Sequence, residues 1–380
     1  MRYASVDILR SLAIVVMVLV HFGENLSDWT PPFAGLGAPV FAYLSGVSWV
    51  LWSQGRLARG ATDEEISRTT IRRGLFVVGV GILFNVIVWM PEDVFNWDVL
   101  TFVGSGLLFL EVARRMPRPV CWMTFAMVLI AAPVLREMVD YDAYWADHAF
   151  DPGFALSDVL IGYLATGYFP LFPWLAFTLL GYLSAEIVAG TGSDAGEGSA
   201  SMPPGARDRI RSRRWLGLGV AMIVLSVTLE VVAGSLGGRL GGILGGWTMF
   251  PASVPWTCRS LGMCLMLLVA VHHVVDRPTF RATHPGFSGL VEMFSRYSLT
   301  IYVVHHLVHL WPVWIMDAVE GREVTESWRE VMPTGWAIGL SIAYLIATWL
   351  VLRWLGPSRR FGLESAMRWL CDEPIRKPTP

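Results

Sequence analysis

Within the first 22 residues, MRYASVDILRSLAIVVMVLVHF, the otherwise apolar stretch 4–22 carries three ionisable side chains: Asp7, Arg10 and His21. Ionisable groups are costly in hydrocarbon and occur there mainly where they have a function. An α-helix places Arg10 and His21 on one face, about 16 Å apart along its axis. Arginine can hold phosphate groups, and an imidazole can accept a proton from an attacking hydroxyl or amine. The spacing therefore suits a long ligand that is anionic at one end and reactive at the other, such as a coenzyme A thioester.

A structural explanation of the same three residues stays open. Asp7 lies in the first turn of the predicted helix, where a carboxylate interacts favourably with the helix dipole. It is also close enough to pair with Arg10. Arg10 can extend its charged end to the membrane surface, and His21 can pack against a neighbouring helix. The residue types alone do not decide between structure and chemistry.

A second polar stripe lies near the C-terminus, in RYSLTIYVVHHLVHL (296–310). Ser298, Tyr302, His305 and His309 share one helical face, which is too polar to point into lipid. Polar contacts inside a bundle and contacts with substrate or coenzyme both explain it. No carboxylate lies in this stretch, and the four cysteines lack metal-binding spacing, so we expect no metal site.

The elements that carry these residues must be membrane helices. The chain has 380 residues, of which 54% are hydrophobic and 16% charged, with a mean hydropathy of +0.51. A soluble domain of that composition would lack polar surface. We predict an all-α polytopic membrane helix bundle of about ten spans of about 20 residues each. The predicted spans are 5–24, 34–53, 71–90, 98–113, 119–136, 168–189, 215–234, 257–275, 297–316 and 334–353.

Charge placement predicts the topology. Most of the 29 arginine and lysine residues fall on one side of the ten-span arrangement, so we expect both termini to be cytoplasmic. The opposite loops are acidic, and the net charge of −2 gives no basic field for nucleic acid. We predict one transmembrane domain over 1–356 with a flexible cytoplasmic loop at 190–213, a cytoplasmic tail over 357–380, and an interfacial or re-entrant segment at 154–167.

Several motifs together resemble a known family. DILRSLAIVVMVLVHF (7–22) and GAPVFAYLSGVS (37–48) resemble the opening of the membrane-bound acyltransferase-3 superfamily. Four later segments resemble the bacterial relatives of heparan-α-glucosaminide N-acetyltransferase. They are TIRRGLFVVGVGILFN (70–85), YFPLFPWLAFTLLGYLSA (168–185), SLTIYVVHH (298–306) and RRFGLESAMRW (359–369). The opening pair is the most specific.

The resemblance implies an acyltransferase of the plasma membrane, in a bacterium the inner membrane. It would move an acyl group, usually acetyl, from cytoplasmic acetyl-CoA or another acyl-CoA to a hydroxyl or amine of an extracytoplasmic acceptor. A glycan is the expected acceptor, and a hydroxyl its favoured group. The resemblance makes His21 the catalytic residue and places Arg10 on the coenzyme side, with Arg72 and Arg73 as further phosphate partners or ordinary membrane anchors. Substrate or supporting roles are expected for Asp7, Glu24, Asp28, Ser298, Tyr302 and His305.

Two functions of other classes remain open from the sequence. A transporter or exporter of a small polar or glycan-related compound would use the intramembrane arginine and histidines as a path, but it predicts inverted repeats and discontinuous helices that we do not find. A sensor or assembly factor would not require His21. The residues leave the oligomeric state undetermined, and a homodimer is compatible with them.

Overall fold

A computed structural model describes residues 3–146, 149–151, 153–190, 204–276, 280, 283–356 and 361–372. In these residues the protein is a helical bundle. The exception is one antiparallel pair of two-residue strands, β1 (Trp145–Ala146) and β2 (Ala149–Phe150), in a loop between helices. The predicted all-α membrane fold is confirmed.

The first eight helices lie in the N-terminal half of the chain. They are α1 (Ala4–Ser27), α2 (Gly37–Leu57), α3 (Asp63–Phe84), α4 (Val99–Ala113), α5 (Arg118–Val139), α6 (Leu156–Ile161), α7 (Leu171–Ser184) and α8 (Glu186–Ala189). The remaining seven are α9 (Pro204–Leu236), α10 (Gly238–Leu244), α11 (Val254–Val275), α12 (Pro285–Arg296), α13 (Ser298–Val319), α14 (Thr334–Leu355) and α15 (Leu363–Cys371).

Nine helices of the described residues are long and apolar enough to cross a membrane. Each coincides with one of the ten predicted spans. The tenth prediction, 98–113, corresponds to α4, whose 15 residues reach only about 22 Å. A shorter helix suits this position because Asp98, which caps it, remains at the level of the polar site described below.

The structure describes parts of three further predicted segments. Segment 154–167 contains the short helix α6 followed by a π-helical turn at Gly162–Thr166. In the predicted loop 190–213, residues 191–203 lie outside the described residues, and α9 already begins at Pro204. An Asp208–Arg211 ion pair at 2.7 Å supports its first turns. Of the predicted tail, residues 361–372 are described, and α15 forms most of them.

Helix α1 occupies the centre of the bundle. It packs against α2, α11, α12, α13 and α14, and its side chains contribute to both of the large apolar clusters of the core. A polar residue on any face of α1 therefore meets another helix rather than lipid. This placement explains how α1 carries Asp7, Arg10 and His21 in the membrane, because each of these three side chains has a polar partner inside the bundle.

Helices α2 and α7 cross with their backbones in contact. A Cβ atom added at Gly46 would overlap the carbonyl oxygen of Thr178, and one added at Gly181 would overlap that of Tyr43. Small residues permit such close packing between membrane helices. The crossing holds α2, which lines the site, in a fixed position.

Candidate active site

The histidines of α1 and α13 meet in the interior. The Nδ1 atom of His21 lies 2.8 Å from Nε2 of His305, and the two rings are stacked with their centroids 5.1 Å apart. The His306 ring lies 4.5 Å from that of His21. His305 and His306 are buried, whereas His21 is partly accessible. Two stripes that are 284 residues apart in sequence thus form one cluster.

Backbone carbonyls assign the tautomers of the cluster. Nδ1 of His305 lies 3.1 Å from the oxygen of Ile301, and Nδ1 of His306 lies 3.2 Å from that of Tyr302. A carbonyl only accepts, so both Nδ1 atoms carry the proton and both Nε2 atoms carry a lone pair. His21 must then donate from Nδ1 to His305, which leaves the lone pair of His21 on Nε2.

His309, on the same helix, has the same tautomer as His305 and His306. His309 donates from Nδ1 to the carbonyl of His305 at 2.6 Å, and its Nε2 accepts from the Asn25 amide at 2.9 Å. Trp328 donates to the amide oxygen of Asn25 at 3.2 Å. Both ring nitrogens of His309 are therefore used within the protein, so His309 supports the cluster rather than facing a ligand. Asn25 and Trp328 carried no signal in the sequence because each is one polar group in an apolar or loop segment.

Tyr302 joins the cluster to α4. Its hydroxyl lies 2.8 Å from both carboxylate oxygens of Asp98 and donates to them, and its ring contacts His21 edge-on at 6.5 Å. Asp98 also accepts the backbone N–H of Leu100 at 3.4 Å, so it caps α4. The sequence identified Asp98 only as one of several acidic loop residues.

An outer cavity of about 420 Å³ opens beside His21 and His306. In the part of the chain that the structure describes, its walls combine carboxylates from four positions, one arginine, Arg329, and aromatic rings. The carboxylates are those of Glu24, Asp28, Asp93 and Asp98, and the rings include Trp89, Phe150, Tyr168, Phe250 and Trp328. Two predicted supporting residues, Glu24 and Asp28, thus lie at the same cavity as His21.

The loop residues of this cavity are electrostatically perturbed. Burial, reinforced by the nearby charges of Glu92 and Asp151, raises the pKa of Asp93 to about 6, although a hydrogen bond with Asn96 opposes the shift. Burial likewise raises the pKa of Tyr168. Carboxylates that line one cavity favour ligands that bring positive charge or hydrogen-bond donors.

An inner cavity of about 880 Å³ lies at the other end of α1. Among the described residues, five arginines line it: Arg10, Arg59, Arg73, Arg296 and Arg368. Arg10 donates to the hydroxyls of Ser295, at 3.2 Å, and of Ser48, and Ser295 in turn donates to Asp7 at 2.6 Å. Asp7 therefore helps to orient Arg10 through Ser295, as well as lying one helical turn away from it.

The other residues predicted for the coenzyme side lie at different places. Arg73 lines the inner cavity, where its guanidinium stacks on Trp52 and forms two hydrogen bonds, of 2.8 and 2.7 Å, with Asp372. Arg72 is exposed and is not among the residues that line this cavity. Ser298 lies at the inner cavity and not beside His21, although it shares a helical stripe with Tyr302.

Helix α13 begins at the inner cavity, and α15 fixes its start. The Glu364 carboxylate accepts the backbone N–H groups of Leu299, at 2.6 Å, and Thr300, at 3.1 Å. These are among the groups that a helix N-terminus leaves without partners. The cap sets the position of the helix that carries the histidines, which gives the RRFGLESAMRW motif a structural role.

Phe41 lines both cavities. It lies on α2, the helix whose position the crossing with α7 determines. Phe41 therefore lies where the two cavities approach each other. A third cavity, of about 720 Å³ between α13 and α14, is almost wholly apolar and offers few groups for such chemistry.

The chain is similar to a known protein family. Residues 2–218 match the family model described as heparan-alpha-glucosaminide N-acetyltransferase, catalytic. No curated protein matches the chain. The match includes Arg10, His21, Phe41 and Asp98 but ends before α13, so the second histidine helix lies outside it. Because the model covers more than half of the 380 residues, the chain belongs to the heparan-alpha-glucosaminide N-acetyltransferase family and is a membrane acetyltransferase, for which the family implies acetyl-CoA as co-substrate.

Proposed function

We propose that the protein transfers an acetyl group from acetyl-CoA in the inner cavity to an acceptor in the outer cavity, with His21 as the catalytic base. The observation that carries this proposal is the position of His21. Its ring lines the outer cavity, and Phe41, which lines the same cavity, also borders the arginine-rich inner one. The tautomer assigned above leaves the Nε2 lone pair available for a proton.

The proposed step needs no further reactant. His21 Nε2 takes a proton from the acceptor as the acceptor's nitrogen or oxygen attacks the thioester carbonyl. The new bond to the acetyl carbon forms, the carbon–sulfur bond breaks, and the electron pair leaves with sulfur. The thiolate then takes the proton from His21. His305 keeps the ring oriented and stabilises the charge that the imidazole carries in between.

The inner cavity suits the phosphates of the coenzyme. Its five arginines offer fork-shaped donors, and Arg10 is already oriented by Ser48 and Ser295. We assign Arg10 and Arg73 to the coenzyme, together with Arg59 and Arg368 at the exposed rim. Arg72, which lies away from the cavity lining, is assigned to membrane anchoring.

The outer cavity suits an amine-bearing sugar. Aromatic rings stack on sugar faces, and four carboxylates attract a cationic or strongly donating group. The family resemblance favoured a hydroxyl acceptor, because hydroxyls are the commoner acceptors in the wider superfamily, and the carboxylates of this cavity now favour an amine. We therefore propose an amino sugar of a glycan as the acceptor. The arginine-rich inner end is assigned to the cytoplasm and the acidic end to the opposite face of the plasma membrane, in a bacterium the inner membrane.

The test is acetyl transfer from labelled acetyl-CoA to amino and hydroxyl sugars in membranes that contain the protein. His21→Gln should lower transfer by about 100-fold or more, the usual contribution of a general base, while coenzyme binding persists. His273→Gln is the matched control, because that histidine lies on α11 with 38% of its side chain exposed. Undiminished transfer by His21→Gln would refute the catalytic role. Uptake of a sugar into vesicles without acetyl-CoA would instead support a transporter.

A further inference from the structure

We propose that His21, His305 and His306 form a binding site for a divalent transition-metal ion of the zinc class. One ring nitrogen of each histidine can be chosen so that all three lie within 4.8 Å of one another. The rings of His305 and His306 are 4.0 Å apart, and both lie within 5.1 Å of the His21 ring. Metal–nitrogen bonds of about 2.0–2.1 Å require these three nitrogens to move closer together when an ion binds.

The surroundings of the histidines support this proposal independently of the distances. Both α13 histidines donate Nδ1–H to a backbone carbonyl of the preceding turn, at 3.1 and 3.2 Å, which leaves the Nε2 lone pairs available. Histidines that bind metals in proteins usually donate their second ring N–H in this way. His309 is excluded as a ligand, because Asn25 and the carbonyl of His305 already use both of its nitrogens.

The donor set indicates the class of ion. Three imidazoles without a carboxylate among them suit Zn²⁺, Co²⁺ or Cu²⁺, whereas Mg²⁺ and Ca²⁺ prefer oxygen ligands. His21 and His306 line the outer cavity, so the fourth position of a tetrahedral ion opens there to water. The acidic walls of that cavity attract a cation toward the site.

Occupation of the site has a chemical consequence. The ion takes the place of the hydrogen bond between His21 Nδ1 and His305 Nε2. Binding through Nδ1 moves the His21 proton to Nε2, so no proton is released and the lone pair that would act as base is lost. Zn²⁺ should therefore inhibit acetyl transfer. Only this consequence rests on the proposed function; binding of the ion does not depend on it.

The experiment uses the full chain in detergent or nanodiscs, purified through a tag without histidine. Co²⁺ is titrated while the visible absorption of tetrahedral cobalt is followed, and Zn²⁺ is then added as competitor. We expect about one Co²⁺ per chain. His305→Gln and His306→Gln should each weaken binding by at least about tenfold, while His273→Gln binds as the wild type does. His306→Cys should restore binding with a thiolate-to-cobalt absorption band, which shows that a loss in His306→Gln is not caused by misfolding.

The outcomes separate the two proposals. Absence of the tetrahedral spectrum in the wild type, or equal binding in all the variants, would overturn the metal site and leave the acetyl-transfer proposal unaffected. Binding at this site with undiminished transfer would uphold the site and contradict the role of His21 as base. Binding that is lost in the α13 variants, together with inhibition of the wild type by Zn²⁺, would support both.

Discussion

The hydrogen bond from His21 to His305 predicts a specific loss when its acceptor is removed. In His305→Leu, the Nδ1–H of His21 faces a buried apolar side chain instead of an acceptor, and a donor left without a partner in this way costs about 1–3 kcal/mol. The ring also loses the contact that fixes its tautomer. Because each 1.36 kcal/mol changes a rate tenfold, kcat should fall by about 5- to 150-fold. His305→Gln should recover part of the rate, since the Gln amide oxygen can accept from the same position.

The assay is steady-state acetyl transfer with acetyl-CoA varied at saturating acceptor. His305 lies in the histidine cluster and is not among the residues that line the inner cavity, so KM for acetyl-CoA should stay within about twofold while kcat falls. A variant that merely misfolds would lose active protein, which size-exclusion profiles and active-site titration would show. Equal losses in the Leu and Gln variants, or a rise in KM without a fall in kcat, would refute the reasoning.

Three further predictions concern other parts of the molecule. Arg10→Ala should raise KM for acetyl-CoA by about tenfold or more, because the variant loses a charge-assisted hydrogen bond. Arg72→Ala should leave this KM nearly unchanged, since Arg72 is not among the residues that line the inner cavity. Equal effects of the two substitutions in transfer assays would contradict the assignment of the inner cavity to the coenzyme. Gly181→Ala should lower the thermal midpoint in detergent because its Cβ would overlap a backbone carbonyl of α2, whereas Gly79→Ala, with open space around it, should not. Burial raises the pKa of Asp93 to about 6, so the folded state binds the Asp93 proton more tightly than the unfolded state does. The stability that this proton contributes is present below about pH 4 and is lost as pH rises from about 4 to 6. Asp93→Asn should therefore raise the thermal midpoint at pH 7.5 by about 1–2 °C after allowance for solvent screening, and the difference should vanish near pH 4; a difference independent of pH would count against it.

The membrane fold was largely predictable because its signals are local. Each candidate span carries its hydropathy within about 20 residues, and the helical period alone places Arg10 and His21 on one face. The span predicted at 98–113 agrees least well with this signal, because α4 has only 15 residues and an acidic cap, whereas a membrane span has about 20 apolar residues. Segment 154–167 was ambiguous because its short helix and π-helical turn carry little apolar length.

The candidate site was only partly predictable. The sequence indicated His21, Arg10, Tyr302 and His305 from their types and spacing. It missed His306, because that residue lies off the predicted polar stripe, and it did not single out Asp98 from the other loop carboxylates. The positions of His306 and Asp98 in the site depend on which helices pack against α1 and α13. The sequence of a single helix does not contain that information.

The sequence by itself determined the helices, their membrane character and the face of α1 that carries its polar residues, because hydropathy and a period of 3.6 residues are properties of single segments. Only the tertiary structure decided that His21 meets His305 across 284 residues, that five arginines line one cavity and four carboxylates another, and that Phe41 borders both. These contacts depend on how distant helices cross. The crossings are set by close packing such as that of Gly46 and Gly181, and by caps such as Glu364, whose partners lie far away in the chain.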